Sequence, residues 1–361
     1  MGVAHQGAIL GGALLPHAPQ FVTRPATEDA ATIARVEQAG ARIGAELAAL
    51  KPDVWITVSN DHAQQFFLDC APPFALHVGG EAKGSFAGQA FRHPVASEVS
   101  FALVRELYGR GFDPAFTSTA EVDYALGIPL SHLGVKGPIV PVFVNAYLPP
   151  QPSMERCHAF GQALAGAVDA LRLKAVVVAS GGMSHFPGTD RYAEPDLAFD
   201  QVLLEQLGRG QLKALIGLSE ETLDATGNIE LRCWAVAAGL LGERKPDVVE
   251  FNPSWHHNYA SLGFWSPPAA PAGLPHYPET RPELVPLTAA LHALANDAEA
   301  RKAYGVDATG FCARLALPAE HGELLRDGRF PAIVALGVHP LVPFLARLAL
   351  EREGLMPAAP R

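Results

Sequence analysis

Short apolar runs alternate with helical patterns between residues 30 and 264, and this alternation limits the folds that the chain can adopt. Residues 28–50 repeat apolar side chains at helical spacing, and Pro52 then ends the pattern. The run that follows, 54–58, is typical of a buried strand. Similar runs occupy residues 138–144, 174–179 and 248–251. The alternation predicts an α/β fold with a central sheet flanked by helices.

The C-terminal part of the chain has a different pattern. Residues 267–286 are rich in proline, as linkers are, and we place the boundary between two domains there. Beyond it, apolar residues recur at helical spacing and no run is typical of a strand. We therefore expect an α/β domain at 1–266, a Pro-rich linker at 267–286 and a small all-α domain at 287–361.

The composition is that of a globular protein, with 49% hydrophobic and 18% charged residues among 361. A net charge of -10 argues against binding to nucleic acid. No apolar run reaches the roughly 20 residues of a membrane-spanning helix, and the N-terminus lacks the basic start of a signal peptide. The four cysteines form no CxxC pair, which favours a reducing compartment. We expect a cytoplasmic homo-oligomer, a dimer, that binds neither nucleic acid nor membranes.

Two of the predicted strands end in loops that carry a histidine. His62 follows the run at 54–58, within an Asn-Asp-His segment. His185 follows the run at 174–179 and a Gly-Gly pair, whose missing side chains would let the backbone approach a bound group closely. Because α/β sheets place their chemistry at the carboxyl ends of their strands, we expect both histidines in one site.

His17 and Glu230 complete the set of candidate site residues. His17 lies in a rigid loop with a proline on each side, and Glu230 opens the helical pattern at 229–241, where a carboxylate is electrostatically favoured. Two imidazoles and one carboxylate are the ligands of mononuclear non-haem Fe(II) oxygenases, and they leave positions open for substrate and O2. His17, His62 and Glu230 are therefore candidate metal ligands, with His185 beside the metal.

Each of these residues also has a purely structural interpretation. A histidine can serve in a turn, and Glu230 can be an exposed carboxylate at a helix N-terminus. Asp61 can orient the imidazole of His62 or simply cap the turn that follows. Two histidines and a glutamate also suit catalytic zinc, so a zinc hydrolase stays an alternative, although the chain has no HExxH helix.

Taken together and in order, these motifs resemble the class III extradiol ring-cleaving dioxygenases of the protocatechuate 4,5-dioxygenase type. The resemblance spans residues 8 to about 265. It implies that His17, His62 and Glu230, the last in a Glu-Leu-x-x-Trp segment, bind Fe(II). It also implies that His185, in a Gly-Gly-Met-Ser-His segment, is the catalytic acid and base, and that the substrates are a small aromatic compound and O2.

The chain departs from this family at Tyr124. Members that act on protocatechuate or gallate carry Asp-His-Gly where this chain has Asp-Tyr-Ala. A phenol is neutral at working pH and can hydrogen-bond but not readily shuttle protons, so Tyr124 is a candidate catalytic and substrate-binding residue of a different kind. A similar tyrosine in members that act on 2-aminophenol favours a nitrogen analogue of catechol, such as an ortho-aminophenol or a hydroxypyridone.

Two further expectations depend on the resemblance. Asn258 aligns with a substrate-contacting position of the family. The segment around Gly337-Val338-His339 resembles the small helical subunit that covers the active site, here fused to the large subunit as a lid. The alternatives are a dioxygenase for protocatechuate- or gallate-type catechols and a non-catalytic, metal-binding scaffold relative, although such relatives usually lose a ligand and this chain keeps all three.

Overall fold

A computed structural model describes residues 7–119, 121–268 and 277–356 of the chain. The first six residues, and with them the start that we compared with a signal peptide, lie outside this range, as do residues 269–276 of the Pro-rich stretch. The chain divides into two compact units, Met1–Pro268 and Ala269–Arg361. No helix among the described residues is long and apolar enough to cross a membrane.

Eight strands of the first unit form one sheet in the order β6-β3-β7-β2-β8-β1-β10-β9. A two-stranded antiparallel hairpin, β4-β5, lies outside that sheet. The strands are β1 (Ala8–Leu15), β2 (Val54–Ser59), β3 (Phe74–His77), β4 (Glu81–Phe86), β5 (Gln89–Pro94), β6 (Ala115–Thr117), β7 (Ile139–Val144), β8 (Lys174–Ser180), β9 (Val248–Pro253) and β10 (Asn258–Phe264).

The centre of the sheet is parallel, and its register aligns the strand ends that matter for function. Strand β2 pairs in parallel with β7 and β8, and β8 pairs in parallel with β1. Leu15 lies opposite Ser180, and Val58 lies opposite Ala179. The carboxyl ends of β1, β2 and β8 therefore meet at one edge. Strand β10 is antiparallel to β1, so its first residues reach the same edge.

Helices cover both faces of the sheet, which confirms the predicted architecture. Helices α2 and α4 contact one face, and α3, α5 and α8 contact the other. The helices of this unit are α1 (Gln20–Thr23), α2 (Ala30–Ala49), α3 (Ser97–Tyr108), α4 (Tyr124–Leu133), α5 (Met154–Ala170), α6 (Leu197–Gly208), α7 (Glu220–Thr226) and α8 (Leu231–Leu241), with a 3-10 turn at Leu212–Gly217.

Helix α8 packs unusually closely against α5, and this contact fixes the end of α8 that carries Glu230. A Cβ atom on Gly161 would lie 2.0 Å from the carbonyl oxygen of Val236, and one on Gly239 would lie 2.1 Å from that of His158. Only glycine fits at both positions, because real side chains do not approach a backbone oxygen so closely. The whole of α8 is buried, as expected for a helix in the core.

The second unit is helical in its described residues and has a hydrophobic core of its own. That core includes Leu287, Leu291, Phe311, Ile333 and Leu350. After a 3-10 turn at Pro282–Leu284 come α9 (Val285–Asn296), α10 (Ala298–Val306), α11 (Ala308–Arg314), α12 (Ala319–Arg326), α13 (Phe330–Ala335) and α14 (Leu341–Arg352). The expectation that this unit acts as a lid stays a prediction.

Candidate metal centre and active site

The four residues singled out by sequence converge at the carboxyl edge of the parallel strands. His17 follows β1, His62 follows β2 and His185 follows β8. Glu230 is the residue immediately before α8, at its N-cap. Three loops and one helix terminus, far apart in the chain, thus deliver one side chain each to a common centre.

Glu230 lies at the middle of this group. Its Oε1 atom is 3.1 Å from Nε2 of His17, 3.6 Å from Nε2 of His62 and 3.8 Å from Nε2 of His185. The ligand atoms of His17, His62 and Glu230 all lie within 4.8 Å of one another, and no other such cluster occurs in the described parts of the chain. These three side chains can therefore hold one metal ion.

The environment of Glu230 fits a metal cation. The residue is completely buried, and its carboxylate accepts hydrogen bonds from Tyr147, Asn60 and the backbone of Gly182. Burial alone would raise the pKa of Glu230, but the neighbouring imidazoles of His17 and His185 hold it well below its usual range. A buried carboxylate that stays charged requires a positive partner, which a metal bound by His, His and Glu supplies.

Hydrogen bonds orient both candidate ligand histidines toward Glu230. Nδ1 of His17 lies 2.8 Å from the hydroxyl of Ser180, which itself donates to the carbonyl of Ala125. Nδ1 of His17 is therefore the protonated nitrogen, and the lone pair of Nε2 faces the centre. Nδ1 of His62 lies 3.1 Å from both carboxylate oxygens of Asp123. Metal-ligating histidines are held by such outer partners in most known sites.

Asp123, and not Asp61, is the carboxylate that orients His62. Asp61 instead accepts the backbone N–H groups of Gln64, Gln65 and Phe66, so of the two interpretations the turn cap is correct. Asp123 also caps α4 through the N–H of Ala125. Burial lowers the pKa of His62, but hydrogen bonds to Asp123 and Glu230 outweigh it and raise the value to about 9. The same two carboxylates would favour a metal cation.

His185 lies beside the three candidate ligands. Its Nδ1 donates to the carbonyl of Met183 at 2.8 Å, which leaves the lone pair of Nε2 directed toward the centre. Burial lowers the pKa of His185, although Glu230 acts in the opposite sense. The imidazole is therefore neutral and able to accept a proton.

Tyr124 forms another wall of the site, at the start of α4. Its ring stacks on that of His62, with centroids 4.4 Å apart and planes 14° apart. Burial, followed by the charges of Asp123 and Glu230, raises the pKa of Tyr124 far above its usual value. The side chain is thus a neutral phenol at any physiological pH.

A cleft opens over these residues, and several of its lining side chains were not predicted. They are Gln20, Tyr147, Tyr192, His256 and His257, which line the cleft with His17, His62, Tyr124 and His185. Nε2 of His256 lies within hydrogen-bond distance, 2.8 Å, of Oε1 of the buried side chain of Glu28. Asn258 follows His257 in the chain and is buried, and its amide donates to Asp200 at 2.7 Å. A role for Asn258 in substrate binding stays a prediction.

Comparison with known proteins identifies the group to which this site belongs. Residues 11–264 match a family model described as the catalytic LigB subunit of aromatic ring-opening dioxygenase. A 2,3-dihydroxyphenylpropionate/2,3-dihydroxicinnamic acid 1,2-dioxygenase of Paraburkholderia phymatum is 28% identical over 293 residues, which cover 66% of this chain and 91% of that enzyme. An enzyme of the same name from Escherichia coli O139:H28 is 33% identical over 219 residues, covering 60% of this chain and 66% of the relative.

The solved structure of an uncharacterized protein from Escherichia coli K12 is similar to this chain in fold only. It gives a TM-score of 0.50 at 14% identity and covers 70% of this chain and 99% of its own. The family match extends from within β1 to the end of β10 and so includes His17, His62, His185 and Glu230. The chain therefore belongs to the LigB family and is an extradiol-type, ring-cleaving aromatic dioxygenase.

Proposed function

We propose that the enzyme depends on Fe(II), held by His17, His62 and Glu230, and opens the ring of a small aromatic substrate with two adjacent heteroatoms. The observation that carries this proposal is the convergence of the Nε2 atoms of His17 and His62 on the buried carboxylate of Glu230. When bound, the iron would hold substrate and O2 side by side and pass electrons between them. The relatives, named for dihydroxyphenyl substrates, support this reaction class.

His185 is the residue that we propose moves the proton. Since Nδ1 donates to the carbonyl of Met183, Nε2 is the atom that takes a proton from the substrate hydroxyl and returns it when the ring opens. Its lowered pKa keeps the imidazole ready to accept. Tyr124 remains protonated, so its hydroxyl can donate a hydrogen bond to the substrate but cannot act as a base.

The expected test of the proposal is oxygen uptake by protein loaded anaerobically with Fe(II). We expect one O2 to be consumed for each molecule of substrate, with a panel of catechols, 2-aminophenol and a dihydroxypyridine as candidates. An oxygen electrode and the absorbance of the ring-opened product provide the measurement. Failure with every member of the panel, or equal activity with zinc alone and no uptake of O2, would contradict the proposal.

Within this reaction class, the specific observation at Tyr124 favours a nitrogen analogue of catechol. An aromatic amine can bind a metal through its neutral nitrogen lone pair, so such a substrate has one proton fewer to lose than a catechol. Tyr124 offers no base for a second proton, because its phenol stays neutral beside Asp123 and Glu230. The names of the curated relatives favour a catechol instead. The two substrate classes are therefore the candidates to compare.

Replacing Tyr124 by histidine should move the substrate preference toward catechols. A second imidazole could accept the extra proton, so we expect kcat/KM for catechol relative to 2-aminophenol to rise by about tenfold, or ~1.4 kcal/mol. Tyr124→Phe is the matched control, since it keeps the ring that stacks on His62 and loses only the hydroxyl. An unchanged ratio in Tyr124→His would show that this position does not set the preference.

We also propose a reducing, cytoplasmic setting and a homo-oligomer. All four cysteines are free; Cys70 is exposed, whereas Cys157, Cys233 and Cys312 are buried. An exposed free thiol suits a reducing compartment. Light scattering of the purified protein measures the oligomeric state directly, and a monomer over the working concentration range would contradict the second proposal.

A further inference from the structure

His257 faces the proposed acid-base histidine ring to ring. The imidazoles of His185 and His257 lie parallel, with an interplanar angle of 1° and centroids 4.1 Å apart. His257 precedes β10, and the two residues form an isolated antiparallel bridge between their backbones. The N–H of Asn258 also donates to the carbonyl of Ser184 at 3.1 Å. The two residues are therefore paired twice, once through their backbones and once through their rings.

Gly182 provides the space into which His257 fits. A Cβ atom on Gly182 would lie 2.1 Å from Nε2 of His257 and 3.1 Å from Cε1 of His185. The N–H of the same glycine donates to Glu230, so the loop is held against the metal centre at this point. A side chain here would force the imidazole of His257 away, because the clash is with a ring and not with the end of a flexible chain.

A buried carboxylate ties together the two segments that carry these rings. Asp200 is fully buried and accepts hydrogen bonds from the N–H of Ser184 at 2.8 Å and from the amide of Asn258 at 2.7 Å. Ser184 and Asn258 are the immediate neighbours of His185 and His257. The separation of the two rings is thus set by a fixed backbone on each side.

The hydrogen bond of His185 alone would not fix its ring. The bond from Nδ1 to the carbonyl of Met183 restrains the ring through a single atom on its edge and leaves both ring faces without support from that bond. The parallel ring of His257 at stacking distance supports one of these faces. It does so without adding charge, since burial and the facing His185 hold the pKa of His257 well below its usual value. Proton transfer depends on such orientation, and a displacement of about 1 Å can cost about 100-fold in rate.

We propose that His257 is a positioning residue for His185. Its ring face holds the imidazole of His185 in the orientation that directs Nε2 toward the substrate. This inference rests on the proposed role of His185 as acid and base. His257 acts through its ring and not through its nitrogen, so an aromatic ring without nitrogen should replace it. Gly182 is required because it makes room for that ring.

The stack itself can be measured without activity, by NMR of the ring protons of His185 in the metal-free protein. We expect the ring current of the neighbour to shift these protons upfield in the wild type and in His257→Phe, and the shift to disappear in His257→Ala. His132→Ala is the matched control, because His132 packs on Phe21 outside the cleft and should leave the resonances of His185 unchanged. The same shift in wild type and His257→Ala would overturn the stack.

Turnover by the iron-loaded variants tests whether the stack matters for the reaction. We expect His257→Ala to lower kcat by roughly 10- to 100-fold with little change in KM, and His257→Phe to recover most of the loss. Equal loss in both variants would overturn the proposal, because it would make the nitrogen, and not the ring face, the important feature. If wild type shows the stack by NMR but no turnover of any substrate, the proposed function fails and not the stack.

A double-variant comparison tests the link to Gly182. Gly182→Ala should reduce kcat and shift the ring protons of His185, because the added Cβ displaces His257. If Gly182 acts mainly by accommodating His257, adding Gly182→Ala to His257→Ala should cause little further loss, a non-additivity that independent sites do not show. Full additivity of the two losses in kcat would contradict this part of the proposal.

Discussion

Replacing Glu230 by glutamine is expected to lower kcat/KM for ring cleavage by roughly 1,000-fold, beyond the 10- to 100-fold typical of outer partners of a metal site. Glutamine has the size of glutamate and can keep the hydrogen bonds from Tyr147 and Asn60. It removes the buried negative charge, however, and directs an amide N–H or a neutral oxygen at the Nε2 atoms of His17 and His62. Iron content after anaerobic loading should fall with activity.

Asp123→Asn provides the graded comparison for this experiment. The change leaves all three candidate ligands in place and weakens the hydrogen bond that orients His62 together with the cap on α4, so we expect a loss of about 10- to 100-fold in iron affinity. The predicted order is therefore wild type, then Asp123→Asn, then Glu230→Gln. Near-normal iron content and turnover in Glu230→Gln would exclude Glu230 as a ligand.

Replacing His185 by glutamine should lower kcat by about 100- to 10,000-fold, the range that general acid–base catalysis contributes. Glutamine can still hydrogen-bond within the cleft, but it cannot accept a proton near neutral pH. Because His185 lies beside the ligand group and not within it, the variant should bind iron normally. Substrate binding under anaerobic conditions should also be retained, which separates this loss from that of Glu230→Gln.

Two results would contradict the role of His185. Loss of iron from His185→Gln would indicate that His185 is a ligand. Its Nε2 atom lies 3.8 Å from Oε1 of Glu230, which is close enough for both side chains to bind one metal ion. Unchanged kcat with normal iron would mean that another group moves the proton. Stopped-flow absorbance of substrate bound without O2, followed by mixing with O2, measures both steps in one experiment.

The parallel centre of the fold was predictable because its strands are buried on both faces. Residues in β2 and β8 form continuous apolar runs, and the loops that follow them contain His62 and His185. Strand β1 did not stand out, since two glycines interrupt its pattern. The hairpin β4-β5 was also missed, because its strands are largely exposed and form no apolar run. Sequence alone placed the histidines at strand ends but could not order the strands.

The residues that orient His62 and His185 could not be predicted from the sequence. Asp61 is adjacent to His62 in sequence, yet Asp123, 61 residues away, is the group that orients it. His257 reaches the site only because β10 runs antiparallel to β1, and no local pattern reveals that pairing. The sequence did contain one indication of the role of Asp123. It precedes a helical pattern, and aspartate is a common N-cap, so its place at the start of α4 could have been predicted.

The most direct test of the central claim is the fate of both atoms of O2. Fe(II)-loaded enzyme should be supplied with ¹⁸O₂ and a turned-over substrate, and the product analysed promptly by mass spectrometry. If the chain cleaves an aromatic ring as a dioxygenase through His17, His62 and Glu230, both oxygen atoms should enter the ring-opened product, and Glu230→Gln should form roughly 1,000-fold less of it under the same conditions. Incorporation of a single atom, or of oxygen from water alone with the ring intact, would contradict the account.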